Sequence, residues 1–131
     1  MYMLDTNICI YIIKKRPISL LEKFNGIPQN SLCISVVTFA ELQYGVERSS
    51  SKKMNRQIIK DFISRLIVLS WDMEAAGHYG KIRSDLEKKG TPIGNMDLMI
   101  AAHALSQNCT IVSNNLREFN RVEGLKYENW V

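Results

Sequence analysis

Apolar residues along the chain fall into two kinds of run. Short, dense blocks rich in β-branched residues predict strands at Tyr2-Met-Leu4, Ser31-Leu-Cys-Ile-Ser-Val36, Ile67-Val-Leu69 and Thr110-Ile-Val112. Longer stretches with apolar positions three or four apart predict helices. The first, Ile8 to Ile13, runs into Lys14-Lys15-Arg16 and breaks at Pro17, and the second, Ile18 to Phe24, is closed by Gly26 and Pro28. A third begins at Thr38-Phe-Ala-Glu41-Leu and continues through Tyr44 and Val46 towards Arg48, before a Ser49-Ser-Ser51 loop. Met54, Ile58, Ile59, Phe62, Ile63 and Leu66 keep helical spacing, and Asp72 caps a helix that ends at Lys88-Lys89-Gly90. Ile93 to Leu105 is apolar almost all round, as a helix buried in the interior must be, and stops near Asn108. A helical turn spans Leu116 to Phe119, and Leu125 to Trp130 supplies a last, edge strand.

Strands alternating with helices imply a central, mainly parallel sheet with helices on both faces, a three-layer α/β/α sandwich. Ligands of such sheets bind beyond the carboxyl ends of the strands. Three of the four main strands end there in polar residues: Asp5-Thr6-Asn7, then Ser35 leading to Glu41, then Ser113-Asn114-Asn115.

Composition narrows the class without changing it. With 131 residues, 46% hydrophobic and 23% charged, the chain reads as a single globular domain over residues 1–131, without repeats, low-complexity tracts or linkers. No apolar run approaches a membrane span, and no secretory signal is visible. The three cysteines, Cys9, Cys33 and Cys109, sit in or beside apolar runs, which predicts buried free thiols and a cytoplasmic location. Charge is uneven. Arg48, Lys52, Lys53, Arg56, Lys60 and Arg65 face the single acid Asp61 in one segment, a local +5 that leaves about −1 of the net +4 elsewhere. Such a face is either a solvated helix surface or, with Lys52, Lys53, Arg56 and Lys60 on phosphates, a contact for nucleic acid.

The isolated acids carry the chemistry. Asp97 shares a helix face with Ala101 and Leu105, where an ionised carboxylate is costly unless a positive group meets it. Its structural alternative is a first-turn acid favoured by the helix dipole, with Asn95 as cap. Asp5 lies between apolar runs and could cap the first helix, as could Thr6 or Asn7. Thr38-x-x-Glu41 has the form of a capping box; if Ser35 is the cap instead, Glu41 lies deeper in its helix, beside the strand ends. Together, Asp5, Glu41 and Asp97 would repel one another unless a cation neutralised them. An all-oxygen ligand set favours Mg²⁺ or Mn²⁺ over zinc. His78 and His103 are isolated and read as non-catalytic, and Trp71 and Trp130 as packing residues.

Met3-Leu-Asp5-Thr-Asn7, Thr38-x-x-Glu41-Leu, Pro92-Ile-Gly-x-x-Asp97-x-x-Ile-Ala-Ala102 and Ile111-Val-Ser-Asn-Asn115, followed by Arg117-Glu118-Phe119 and Glu128-Asn-Trp130, resemble in order the PIN-domain ribonucleases, above all the VapC-type toxins of bacterial toxin–antitoxin pairs. The resemblance implies a PIN-like sandwich and a Mg²⁺-dependent endoribonuclease with Asp5, Glu41 and Asp97 as its acidic metal site, Mn²⁺ being able to substitute. It implies an RNA substrate, often a transfer RNA, a VapB-like antitoxin that occludes the site, and a homodimer. Thr6, Asn7 and Ser113 resemble donors that orient the carboxylates. Where the family often places a fourth acid this chain has Asn115, which can hold a water or phosphate oxygen, while Glu118 one turn later can supply the charge. Two other readings compete. One is a catalytically weak PIN module that binds nucleic acid or protein. The other is a haloacid-dehalogenase-like phosphohydrolase, whose second Asp would stand where this chain has Asn7.

Overall fold

The computed structural model describes all 131 residues. In chain order the elements are β1 (Tyr2–Leu4), α1 (Thr6–Ile13), α2 (Ile18–Gly26), a 3₁₀ turn at Gln29–Ser31, β2 (Leu32–Ser35), α3 (Val36–Arg48), α4 (Lys52–Ile63), β3 (Ile67–Leu69), α5 (Met73–Lys88), α6 (Asn95–Ser106), β4 (Thr110–Val112), α7 (Leu116–Phe119) and β5 (Lys126–Glu128). The five strands form one sheet in the order β3-β2-β1-β4-β5, every pair parallel. Tyr2 stands opposite Leu32 on one side and Thr110 on the other.

Strand alternation sorts the core into two layers. Met3, Cys33 and Ile111 point to the face covered by α5 and α6, where they meet Ile82, Leu86 and Ile100. Leu4, Ile34 and Val112 point to the opposite face and meet Ile8, Leu20, Phe24, Ile59 and Phe62. The three cysteines are buried and free. Both edge strands are short, as exposed edges of soluble sheets tend to be; Ile67 and Val68 on β3 and Tyr127 on β5 are partly open to solvent.

Two junctions, the end of β2 and the start of α6, differ from the sequence reading, and at a third, the start of α1, the structure selects one of its alternatives. β2 ends at Ser35, not Val36, because the Ser35 hydroxyl accepts a hydrogen bond from Val37 N at 3.1 Å and starts α3 there. Thr38 is therefore buried inside the helix rather than capping it, and Glu41 sits in the second turn. Asp5 itself caps α1, its Oδ1 accepting from Ile8 N at 2.8 Å, so neither Thr6 nor Asn7 takes that role. Gly94, not Asn95, occupies the cap position of α6 and offers no side-chain bond, which puts Asp97 at the third helical position. At α5 the expectation holds: Asp72 accepts from Ala75 N at 3.1 Å, and Gly90 follows the last turn with φ +69°, a conformation that glycine adopts without strain.

Candidate active site

The strand order places a crevice between β1 and β4. From β1 the chain crosses to β2 and β3 on one side, and only later to β4 and β5 on the other; loops leaving β1 and β4 therefore diverge at their carboxyl ends. Asp5 ends β1 and Ser113 ends β4, and the two meet there. The Ser113 hydroxyl donates to Asp5 Oδ2 at 2.5 Å and accepts from Asn115 N at 2.8 Å. Asp5 is 3% exposed, and burial outweighs the Ser113 and Ile8 bonds to push its carboxyl above the ordinary value.

Glu41 reaches the same crevice from α3. The Thr6 hydroxyl at the start of α1 donates to Glu41 Oε1 at 2.5 Å and lies 3.4 Å from the Thr38 hydroxyl. Asp97 comes from the first turn of α6 and Glu118 from α7. The helix dipole alone would favour an ionised Asp97. Its carboxyl is instead pushed up to about 7, first by burial, then by a hydrogen bond to Glu118 and by the charges of Glu118, Asp5 and Glu41. Four acids from four helical segments thus face one another across the switch point. Glu118 Oε2 is buried with no donor, beside Gly94, where a Cβ would stand 4.0 Å from it.

A divalent cation suits this chemistry. The donors are all carboxylate oxygens, one is an orphan, and the acids hold a proton against each other that a cation would replace. No three acids close around one point as a ready-made cage would. Mg²⁺ asks less than that: it keeps several waters and is usually held by one or two carboxylates together with substrate phosphates.

The other sequence candidates lie as follows. Asn7 is exposed and bonds none of the acids, and the Asn115 side chain makes no hydrogen bond to the α7 start that it precedes. Lys52, Lys53, Arg56 and Lys60 line the exposed side of α4. Two of them are engaged: Glu47 on α3 lies 2.9 Å from Arg56 and 3.9 Å from Lys52, and these cations hold its carboxyl below the ordinary value. A groove of about 330 Å³ joins Glu41 to Asn55 and Ile58 of α4, with Lys14 on its rim. Trp71 donates to the Met99 carbonyl and packs edge-on against Tyr79, while Trp130 packs edge-on against Tyr2. His78 is exposed and apart from the acids. His103 is fully buried, with Nδ1 2.7 Å from the Ser35 hydroxyl; that contact left no mark in the sequence, because the two residues stand 68 positions apart.

A parallel α/β/α sheet with an acidic crevice at its switch point describes a known class of domain. The chain belongs to the PIN-domain family, whose sequence model matches residues 2–125, and within it to the VapC ribonucleases. It is 51% identical to Ribonuclease VapC2 of Haemophilus influenzae over 99% of this chain and 98% of that protein. It is 50% identical to the tRNA(fMet)-specific endonuclease VapC of Shigella flexneri, over 98% of this chain and 97% of that one. Among solved structures, DNA-bound VapBC from Salmonella typhimurium superposes with a TM-score of 0.94 at 48% identity, covering 99% of this chain and 98% of that one. VapBC2 from Rickettsia felis, bound to a DNA fragment from its promoter, gives 0.93 at 43% identity with the same coverage. No helix is long and apolar enough to cross a membrane.

Proposed function

We propose that this chain is the toxin of a VapBC pair, a Mg²⁺-dependent endoribonuclease that cuts a transfer RNA and is silenced by a VapB-like antitoxin. The observation that carries the reading is the meeting of Asp5, Glu41, Asp97 and Glu118 at the β1/β4 crevice, where Asp97 keeps its proton up to about pH 7. The tRNA(fMet)-specific relatives from Shigella flexneri and Salmonella typhimurium, 50% and 48% identical, support the substrate class. The VapBC complexes that superpose on the chain support the partner. A homodimer is part of the proposal.

In this reading Asp5 and Asp97 hold the cation, with Glu41 bound directly or through water and Glu118 supplying the charge that Asn115 lacks. When bound, Mg²⁺ supplies countercharge for the phosphate and acidity for water. The chain's own residues do the rest. Ser113 and Ile8 N fix both oxygens of Asp5, so its lone pairs keep a defined direction. Thr6 holds one oxygen of Glu41, leaving the other to orient the attacking water and take its proton. Lys53 and Lys60, which form no ion pair, contact backbone phosphates and position the RNA without choosing its sequence.

The test is to sequence RNA 5′ ends after brief induction in cells, beside an Asp97→Asn control. New ends concentrated in one tRNA, absent from the control, are expected. Ends that are equally frequent in both would overturn the assignment of the acids.

A further inference from the structure

We infer that His103 is a positioning residue for the acidic crevice: its imidazole clamps Ser35, the cap of α3, and so fixes the helix that carries Glu41 against α6, which carries Asp97. The inference rests on the reading of the crevice as a divalent-cation site and extends it to a side chain outside that site.

Both partners are fully buried. His103 lies on α6 among Ala101, Ala102 and Ala104, and Ser35 sits at the junction of β2 and α3. Ser35 Oγ accepts from Val37 N at 3.1 Å, which is the capping bond, and lies 2.7 Å from His103 Nδ1. The other ring nitrogen, Nε2, is buried without a hydrogen-bond partner, and the Ser70 backbone and the Asp72 charge in the β3–α5 connection are the polar groups that act on the ring. These neighbours select one tautomer. With the proton on Nδ1, the Ser35 hydroxyl, which already accepts from Val37 N, would accept a second bond and leave its own hydrogen without a partner. With the proton on Nε2, Ser35 donates to Nδ1 while accepting from Val37 N, so both atoms of the hydroxyl are used. Burial agrees, since it holds the ring below its ordinary value and keeps it neutral.

The consequence travels along a short path. Glu41 lies less than two turns beyond Ser35, and Thr38 between them touches the Thr6 hydroxyl that holds Glu41. An α3 start that shifts or frays moves Thr38 and Glu41 together. His103 is fully buried and its one side-chain hydrogen bond is to Ser35, so its polar atoms act on α3 through that bond.

Three variants separate bond from bulk. His103→Phe keeps the ring and removes its nitrogens; His103→Asn restores an acceptor near the Nδ1 position; Ser35→Ala cuts the bond from the other side without disturbing α6. In the wild type, imidazole ¹⁵N shifts should show Nε2 protonated and Nδ1 bare at neutral pH. His103→Phe should speed amide exchange at Val37 and Thr38 while β1 and β4 amides keep their protection. It should also weaken Mn²⁺ binding to the RNA-free protein by about tenfold, and His103→Asn should recover most of that loss. Joined to Ser35→Ala, His103→Phe should add little. A ring protonated on Nδ1, or wild-type exchange at Val37 and Thr38 in His103→Phe, would overturn the inference. If His103→Phe does not fold, His103→Leu, which also removes both ring nitrogens and leaves the Ser35 cap in place, answers the same exchange and Mn²⁺ questions. If the wild type binds no Mn²⁺, the proposed metal site falls instead, and the tautomer and exchange results still decide what His103 does.

Discussion

Asp97 occupies the third position of α6, where a helix start favours an anion, yet its carboxyl is pushed up to about 7. The unfolded group titrates near 3.8. Between these values the native state holds the extra proton, so this contribution to stability is fully present below 3.8 and is lost as pH rises through 7. Melting curves in EDTA from pH 4 to 8 should show that decline, and Asp97→Asn should flatten it. At pH 8 the variant should melt at or above the wild type, while cleavage in Mg²⁺ falls by roughly a hundredfold or more. A variant that melts lower and still cuts would make Asp97 a helix-start acid only. Asp5 gives a complementary case because it does two things at once, capping α1 and facing the crevice. Asp5→Asn keeps a good cap and should be inactive at nearly wild-type stability. Asp5→Ala loses the cap as well, at about 1 kcal/mol.

At the scale of elements, α4 divides its charge. Lys52 and Arg56 turn back to Glu47, whereas Lys53 and Lys60 form no ion pair. Reversing Lys53 and Lys60 together should weaken RNA binding and lower the slope of log affinity against log salt by up to about 2. Glu47→Gln should act in the opposite sense, since it releases two cations, and should leave the melting temperature nearly unchanged because the pair is exposed. Binding isotherms at several salt concentrations check both. An unchanged slope in the double reversal would mean that this face is only solvated or serves a protein partner.

For the whole molecule, the crevice lies between halves of the chain that only the sheet brings together, and it gathers charge that the fold alone does not neutralise. Cleavage should therefore stop in EDTA and return with Mg²⁺ or Mn²⁺. Zinc and calcium should restore it poorly, because zinc favours nitrogen and sulfur ligands while calcium asks for more oxygens at longer distances. Full activity in chelator, measured on structured RNA, would end the metal reading. A divalent ion that restores activity should also raise the melting temperature, most strongly above pH 7, where the acids otherwise repel.

The elements were legible in the sequence because each depends on local order: β-branched blocks for strands, helical spacing for α4, a run apolar almost all round for α6, and Asp72 and Gly90 for the ends of α5. The three acids Asp5, Glu41 and Asp97 were legible too, as charges set in apolar runs or at strand ends. Thr6, Ser113 and Glu118 were named there through the family resemblance, but which acid each of them meets was not legible. Whether Ser35 or Thr38 capped α3 depended on where β2 stopped against its neighbours, and both capping patterns were present locally. Glu118 joins Asp97 only because α7 folds back over the start of α6, and His103 meets Ser35 only because α6 packs across the β2–α3 junction. Local sequence determines which segments become helices and strands, since backbone propensity and capping act within a few residues. Which side chains face one another across the crevice is decided by sheet order and layer packing, because those contacts join positions 21 to 108 residues apart.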